Sequence, residues 1–269
     1  MNEQLERELI KKVKKDPYSL KYIKEQTEAI CLAAVKQNGH ALSYVKNKTE
    51  ELCLAAVKQN GYAIHDVKNQ TTEICLAAVE EDGNSLQYIN DQTEEICLRA
   101  VNENGLALKY VKNQTERICL EAVERDIYAL PYVKHQTEKI CLAAVKQDGL
   151  SLLRVKNQTE KICLEAVKET TYALRLVKDK TEKIYLESFK DNLDAAFLVN
   201  INERNVVLIM LNSSLQHKNK NKEILTKIIK KFNKDREVVD FYTKYNLWKY
   251  VDFSKVKLNN ELIKHSIIL

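Results

Sequence analysis

The stretch TEELCLAAVKQNG, Thr49–Gly61, decides the architecture of this chain, because close copies of it recur at a fixed interval. It returns as TTEICLAAVEEDG at Thr71–Gly83, as TEEICLRAVNENG at Thr93–Gly105 and as TEKICLAAVKQDG at Thr137–Gly149. The fifth position of seven successive copies is a cysteine, every 22 residues: Cys31, Cys53, Cys75, Cys97, Cys119, Cys141 and Cys163. A fixed period of 20–50 residues indicates a repeat array in which each copy is one supersecondary unit.

The first half of each unit predicts a long helix. Thr137 is a candidate N-cap, with Glu138 in the first turn at the positive end of the helix dipole. A rival start two residues earlier stays open, because Asn47 and Glu50 have capping-box spacing in a sister repeat. The apolar run 140–145 favours a helix sandwiched between neighbours. Gly149 stands where a left-handed C-cap is expected, and all five glycines occupy this position: Gly39, Gly61, Gly83, Gly105 and Gly149.

The second half predicts a short helix. In Ala107–Val111 (ALKYV), apolar residues at i, i+1 and i+4 fit two helical turns with one buried stripe. Each unit is therefore expected to be helix–turn–short helix. No single unit can bury its apolar surface, so neighbouring units must stack. The predicted fold class is all-α, an α-solenoid of tandem 22-residue repeats with a helical C-terminal cap.

The period divides the chain into two predicted regions. Residues 1–211 form the repeat array, with eight clear copies over 27–202 and degenerate capping copies at both ends. Residues 212–269 are expected to form a basic helical cap, with amphipathic helices at Lys222–Asn233 and Asp235–Leu247. Residues 203–269 contain 14 basic and 7 acidic side chains, whereas the whole chain carries a net charge of +5.

Three sequence words carry a resemblance to a known family: LAAVKQNG at Leu54–Gly61, the pattern Ala-x-x-Tyr-Val beginning at Ala41, and VKNQTE at Val111–Glu116. These words resemble the tandem "domain of unknown function 4116" repeats of giant DNA viruses of amoebae and of some protists. The resemblance covers roughly 5–211 and implies a viral or protist source. It implies no activity.

Motifs for catalysis, cofactors or metals are missing from the sequence. One cysteine recurs per unit within an apolar helix, without the paired ligand spacing of zinc sites, so the cysteines are expected to be small buried core residues. The five histidines form no cluster, and the sequence holds no phosphate-binding loop or dinucleotide fingerprint. We therefore expect a protein that is not an enzyme, with no metal and no cofactor.

Two further sequence features predict the cellular compartment of the protein. The N-terminal residues 1–15 are charged and lack the apolar segment of a signal peptide, and no run of about 18 apolar residues predicts a membrane span. Free cysteines favour a reducing compartment. The sequence thus predicts an intracellular protein that does not bind membranes.

Two positions of the short helix vary from copy to copy within an otherwise uniform unit. They lie three residues apart, on one face of the helix. Core positions cannot vary so freely in a close-packed stack, so this face is predicted to be exposed and to bind a partner, or else to have drifted without a role. The candidate partner-binding residues are Tyr62, His65, Leu106, Lys109, Tyr128, Pro131, Leu150, Leu153, Tyr172 and Arg175.

The function predicted from this pattern is a scaffold for protein–protein interaction, with a protein partner of unknown identity. The alternative is nucleic-acid binding through the basic C-terminal tail and a ladder of lysines at Lys46, Lys68, Lys112, Lys134, Lys156 and Lys178. Glutamates recur four residues after most of these lysines. Such paired ladders are more typical of a solvated, mutually compensated surface.

Overall fold

The computed structural model describes residues 2–189 and 222–232, together with the single positions 207, 238, 240, 244 and 247. Over 2–189 a long α-helix alternates with a short 3-10 helix at the period of 22 residues. This alternation confirms the predicted fold class, an all-α solenoid of tandem repeats. Contacts divide the chain into two compact units, residues 1–143 and residues 144–269, which are described in turn.

The long helices are labelled α and the 3-10 helices η. The long helices in order are α1 Glu3–Lys15, α2 Glu28–Gln37, α3 Glu50–Gln59, α4 Thr72–Glu81, α5 Glu94–Glu103, α6 Glu116–Arg125, α7 Glu138–Gln147, α8 Glu160–Glu169, α9 Glu182–Phe189 and α10 Lys222–Phe232. The short helices are η1 Pro17–Tyr22, η2 Gly39–Tyr44, η3 Gly61–Asp66, η4 Gly83–Tyr88, η5 Gly105–Tyr110, η6 Ile127–Tyr132, η7 Gly149–Arg154 and η8 Thr171–Arg175.

A threonine begins the long helices of the repeats, which decides between the two starts left open by the sequence. In α2 the Thr27 hydroxyl accepts from the backbone N–H of Ile30 at 3.4 Å, and Glu28 follows in the first turn. Ten residues are too few for a stable isolated helix, so the buried stripe must hold it in place. That stripe comprises Ile30, Cys31, Ala34 and Val35, all at most 3% exposed.

The predicted left-handed glycine C-cap was wrong. Helix α2 ends at Gln37, and the next residue, Asn38, adopts an extended backbone with φ −153° and ψ 114°. The Asn38 side chain then accepts from the N–H of His40, so this residue is at once the end of α2 and the N-cap of η2. The chain therefore changes direction over one residue. The separate turn that the sequence predicted before the short helix does not form.

Close packing between repeats, and not a left-handed backbone, explains the glycines. A Cβ placed on Gly83 would lie 2.4 Å from the backbone oxygen of Ala100 in the next long helix. Gly105 meets the oxygen of Ala122 in the same way, at 2.6 Å. Glycine lets the first residue of the short helix approach the next repeat this closely, whereas Ile127 and Thr171 hold the same position in η6 and η8.

The short helix contributes the second half of the core. In η2, Ala41 and Leu42 are fully buried, and Val45 caps the C-terminal end at 5% exposed. The pair recurs with Ser85 and Leu86 in η4, where serine replaces alanine. A bend at the two following residues, such as Lys46 and Asn47, returns the chain to the next long helix.

Within residues 1–143, each long helix from α1 to α6 packs on the next, and each short helix from η1 to η6 packs on the next. The long helices also contact the short helices beside them, so the core lies between two layers. Within residues 144–269, α8 packs on α9 and η7 packs on η8. Helix–helix stacking of equivalent elements is therefore the packing rule inside each unit.

The C-terminal predictions are covered only in part. Helix α10 confirms the predicted amphipathic helix at Lys222–Asn233 to within one residue: Leu225, Ile228 and Ile229 are buried, and Lys227 is exposed. The predicted helix at Asp235–Leu247 and the rest of the predicted cap over 212–269 lie almost wholly outside the described residues. No helix in the described part of the chain is both long enough and apolar enough to cross a bilayer.

A candidate binding face and the contacts that frame it

The short-helix face is the set of side chains at the two variable positions of each 3-10 helix. The second variable position is exposed in every described copy: Ser43, His65, Gln87, Lys109, Pro131, Leu153 and Arg175. The first variable position is more mixed. Tyr62 and Leu106 are half-buried, whereas Tyr128, Leu150 and Tyr172 are exposed. The exposure predicted for these positions therefore holds fully for the second and only in part for the first.

Exposed apolar surface is concentrated on the short helices. Among the described residues, eight large hydrophobic side chains expose more than two fifths of their surface: Leu5, Tyr18, Tyr22, Tyr128, Tyr132, Leu150, Leu153 and Tyr172. All except Leu5 lie on short helices. The outer positions of the long helices carry charged side chains instead, such as Lys36 and Lys58. Among the described residues, the most exposed apolar side chains therefore lie mainly on the short helices, whereas leucines of the long helices such as Leu32 and Leu54 are half-buried.

In the unit 144–269, the face comprises Leu150 and Leu153 of η7 and Tyr172 and Arg175 of η8. Leu153 is 70% exposed and Tyr172 is 61% exposed. Between the two leucines, Leu152 is fully buried. Because η7 packs on η8, these exposed side chains come from neighbouring elements.

In the unit 1–143, the first variable position also contacts the next repeat. The Asn38 side-chain amide donates to the Tyr18 hydroxyl at 3.0 Å, and the Asn60 amide lies 3.0 Å from Nε2 of His40. Burial raises the pKa of Tyr62, and the Asp82 carboxylate, which accepts its hydroxyl proton in a hydrogen bond, raises it further. Each of these three side chains reaches the N-cap of the following short helix, so the first variable position takes part in the stack in these repeats.

The recurrent tyrosine of the short helix packs beside the variable face. The Tyr62 and Tyr88 rings meet edge to face with centroids 5.9 Å apart, and His65 meets the same Tyr88 ring at 5.2 Å. The Lys109 ammonium lies 4.7 Å from the centroid of the Tyr110 ring. The recurrent tyrosine therefore packs against neighbouring aromatic and cationic side chains.

A glutamine clamp joins adjacent repeats, and the sequence interpretation missed it. The Gln114 amide donates to the backbone oxygen of Leu108 in its own repeat at 3.3 Å and to that of Tyr132 in the next at 3.0 Å. Its Oε1 accepts from the backbone N–H of Lys134 at 2.9 Å and from the Cys119 thiol at 3.6 Å. The same arrangement recurs with Gln26, Gln70, Gln92 and Gln158. The available signal was the recurrence of this glutamine before six of the eight repeat threonines.

The lysine ladder forms a second set of links. The Lys46 ammonium donates to the backbone oxygen of Lys24 at 2.7 Å, 22 residues earlier. Lys112 and Lys134 donate to the backbone oxygens of Asn90 and Lys112 in the same way, at 2.7 and 2.8 Å. These ammonium groups cap carbonyls of the preceding repeat, so they are less available to a phosphate backbone than their spacing suggested.

Several members of the glutamate ladder accept hydrogen bonds from threonine hydroxyls. The N-cap Thr71 donates its hydroxyl to Glu50 at 3.1 Å, and Thr137 donates to Glu116 at 2.7 Å. These hydrogen bonds form a third set of contacts between repeats.

The seven cysteines are buried, as expected, with free thiols that are between 2% and 4% exposed. Burial raises the pKa of the Cys97 and Cys119 thiols, and the nearby Glu94 and Glu116 carboxylates add to this effect. Raised pKa values keep the thiols neutral, which suits a packing role and disfavours a nucleophile. No group of three metal-ligating side chains with suitable geometry lies among the described residues.

The family described as Domain of unknown function (DUF4116) matches three overlapping windows of the chain, residues 28–71, 49–93 and 71–115. Each window spans about two repeats, and successive windows advance by one period. The match confirms the resemblance read from the sequence words over these residues. No curated protein and no solved structure gave a match.

Proposed function

We propose that this helical repeat protein is a non-enzymatic scaffold that binds a protein partner through the short-helix face. The observation that carries the proposal is the segregation of exposed apolar groups: seven of the eight large exposed hydrophobic side chains among the described residues lie on short helices. An array that needed only to fold would gain nothing from Leu153 or Tyr172 in water. Apolar and aromatic groups at the centre of an interface usually carry most of the binding free energy.

The polar contacts support the same division of labour. The glutamine clamp, the lysine–carbonyl links and the threonine–glutamate links all bind one repeat to the next, and none of them uses the second variable position. Stability and recognition are therefore assigned to different side chains. The second variable position is then free to differ between copies, as Ser43, His65, Gln87 and Lys109 do.

The nucleic-acid alternative has weaker support. Lys46, Lys112 and Lys134 each use a donor on a backbone carbonyl, and much of the basic tail lies outside the described residues. A binding titration against generic single- and double-stranded DNA and RNA tests it directly. Affinity that falls steeply with added salt would favour this alternative, because such a slope reports release of counterions from phosphates.

The test of the protein-binding proposal compares two variants with the unmodified chain in affinity purification from the native cell. The first variant combines Leu150→Ser with Leu153→Ser on η7. The matched control combines Lys146→Ser with Lys168→Ser on the exposed sides of α7 and α8. The proposal predicts that at least one protein is recovered at wild-type level by the control and lost with the leucine variant. Recovery profiles that are identical for all three proteins would contradict it.

A further inference from the structure

Two copies carry lysine in place of the clamp glutamine, Lys48 before Thr49 and Lys180 before Thr181, and the repeats on both sides of Lys48 are described. At the position that holds Gln26, Gln70, Gln92 and Gln114 in other copies, the chain has Lys48. The Lys48 ammonium donates to the backbone oxygen of Asp66 at 3.0 Å, just as Gln26 donates to the oxygen of Tyr44. Lysine therefore keeps the donor half of the clamp. It cannot supply the acceptor half, because an ammonium group has no acceptor.

The missing acceptor leaves two donors unpaired. In the intact clamps Gln Oε1 accepts a backbone N–H 20 residues further on, as in Lys46 to Gln26 at 3.0 Å and Lys112 to Gln92 at 2.9 Å. The equivalent N–H belongs to Lys68, and it has no partner among the described residues. The Cys53 thiol also lacks the glutamine acceptor that Cys31 finds at 3.8 Å. Lys68 is an exposed residue, so its N–H is accessible to a ligand that accepts hydrogen bonds.

A cavity of about 520 Å³ opens at this junction. It lies between the residues that precede α3 and those that precede α4. Its lining residues include Lys46, Lys48 and Lys68 and one acidic residue, Glu50, and the Lys46 ammonium reaches back to the Lys24 carbonyl of the preceding repeat. The carboxylate already accepts from the Thr71 hydroxyl at 3.1 Å.

Donors remain available in this cavity. Each ammonium group has three N–H donors, of which Lys46 and Lys48 each spend one on a backbone oxygen. The ammonium of Lys68 has no hydrogen-bond partner within the described part of the chain. The lining therefore presents an excess of positive charge and of unused donors, together with the free N–H of Lys68.

We propose that this cavity binds a small oxyanion, a phosphate or a phosphate monoester, in the place of the missing glutamine oxygen. A phosphate supplies acceptor oxygens, which replace the glutamine oxygen absent at Lys48, and negative charge, which offsets the positive charge that lysine adds to the junction. One phosphate oxygen accepts the Lys68 N–H, and the others accept from the Lys48 and Lys68 ammonium groups. The anion thereby restores the link between the repeats that begin at Thr49 and Thr71.

The first experiment measures thermal unfolding of the full chain with inorganic phosphate and with sodium chloride at equal ionic strength. Phosphate is expected to raise the melting temperature of the unmodified protein beyond the effect of chloride, because a ligand that binds only the folded state stabilises it. Lys48→Gln restores the clamp, so it should melt higher without phosphate and lose the phosphate response. Lys36→Gln removes the same charge from the exposed side of α2 and should retain that response.

A second measurement follows the backbone amides by NMR during a phosphate titration. The Lys68 amide resonance should move, whereas the Lys112 amide, already bonded to Gln92, should not. Lys68→Gln should weaken phosphate binding at least tenfold and leave the fold intact. The proposal fails if chloride and phosphate act alike, if Lys48→Gln responds to phosphate as the unmodified protein does, or if the Lys68 amide stays unmoved.

Discussion

At the scale of single residues, the glutamine that precedes most N-cap threonines connects two repeats through both halves of its amide group. Its NH₂ group donates to carbonyls of two successive short helices, and its oxygen accepts an N–H from the next repeat. Glutamate would lose the donors, and lysine loses the acceptor, as at Lys48. Glutamine alone among side chains of this length satisfies all of these groups at once.

Replacing Gln114 by leucine should therefore destabilise the protein. The change leaves the Lys134 N–H and the carbonyl of Tyr132 without their partners. We expect a loss of about 2 kcal/mol in the free energy of unfolding, since buried unsatisfied groups cost about 1–3 kcal/mol each and water reaches part of this site. Gln37→Leu, on the exposed end of α2, is the control and should change stability by less than about 0.5 kcal/mol. Equal effects of the two changes in urea denaturation would refute the clamp.

Replacing Ser85 is expected to increase stability, in contrast to replacing Gln114. Its hydroxyl is fully buried and has no hydrogen-bond partner among the described residues, whereas Ala41, Ala63 and Ala107 occupy the equivalent position in other copies. Removing a buried unsatisfied hydroxyl should stabilise the fold, so Ser85→Ala is expected to raise the free energy of unfolding by about 1 kcal/mol. A loss of stability in the same denaturation assay would show that the hydroxyl has a partner after all.

The sequence predicted single residues well where their role is local. The threonine N-caps and the buried cysteines follow from spacing within one helix. The role of Gln114 does not, because its partners lie 18 and 20 residues further along the chain and are brought close only by the register of stacked repeats. The variable face was predicted by comparing copies, but the contact of Tyr62 with Asp82 depends on the same register.

At the scale of elements, the join between long and short helix depends on the glycine at the start of the short helix. From the sequence we interpreted this glycine as a left-handed C-cap, which was wrong. Its actual role, a close approach to the next long helix, cannot be inferred from one repeat alone. Gly83→Ala should cost about 1–3 kcal/mol through overpacking against the oxygen of Ala100. Gln87→Ala, exposed on the same short helix, is the matched control and should be nearly neutral. If alanine at 83 were tolerated in thermal unfolding, the close-approach explanation would be wrong.

The burial of the cysteines in the long helices predicts that their thiols react slowly with thiol reagents. Burial raises the thiol pKa of all seven cysteines, so at pH 8 a smaller fraction is thiolate than for an exposed cysteine. We expect the native protein to react slowly with Ellman's reagent at this pH. Once the protein is unfolded in denaturant, all seven thiols should react and release seven equivalents of thionitrobenzoate. Rapid reaction of most cysteines before unfolding would mean that the long helices do not bury them.

At the scale of the whole molecule, the repeat period alone predicted the solenoid class, because no 22-residue unit can bury its own apolar stripe. Within each of the two compact parts of the chain, every hydrogen bond described between repeats joins repeats that are adjacent in sequence. Stability is then expected to be a sum of repeat and interface terms. The function could not be predicted to the same depth. A partner's chemistry imposes no regular residue spacing on the sequence, so the repeat pattern carries no information about it.

The central claim is that the apolar side chains of the short-helix face serve recognition and not folding. The most direct test is the free energy of unfolding of Leu150→Ser combined with Leu153→Ser, measured beside Leu152→Ser on the same short helix. Leu152 is fully buried and Leu153 is 70% exposed. The account predicts a loss below about 0.5 kcal/mol for the exposed pair. It predicts a loss of at least about 3 kcal/mol for Leu152→Ser. Cooperative destabilisation of the double variant to the same extent as Leu152→Ser would contradict it.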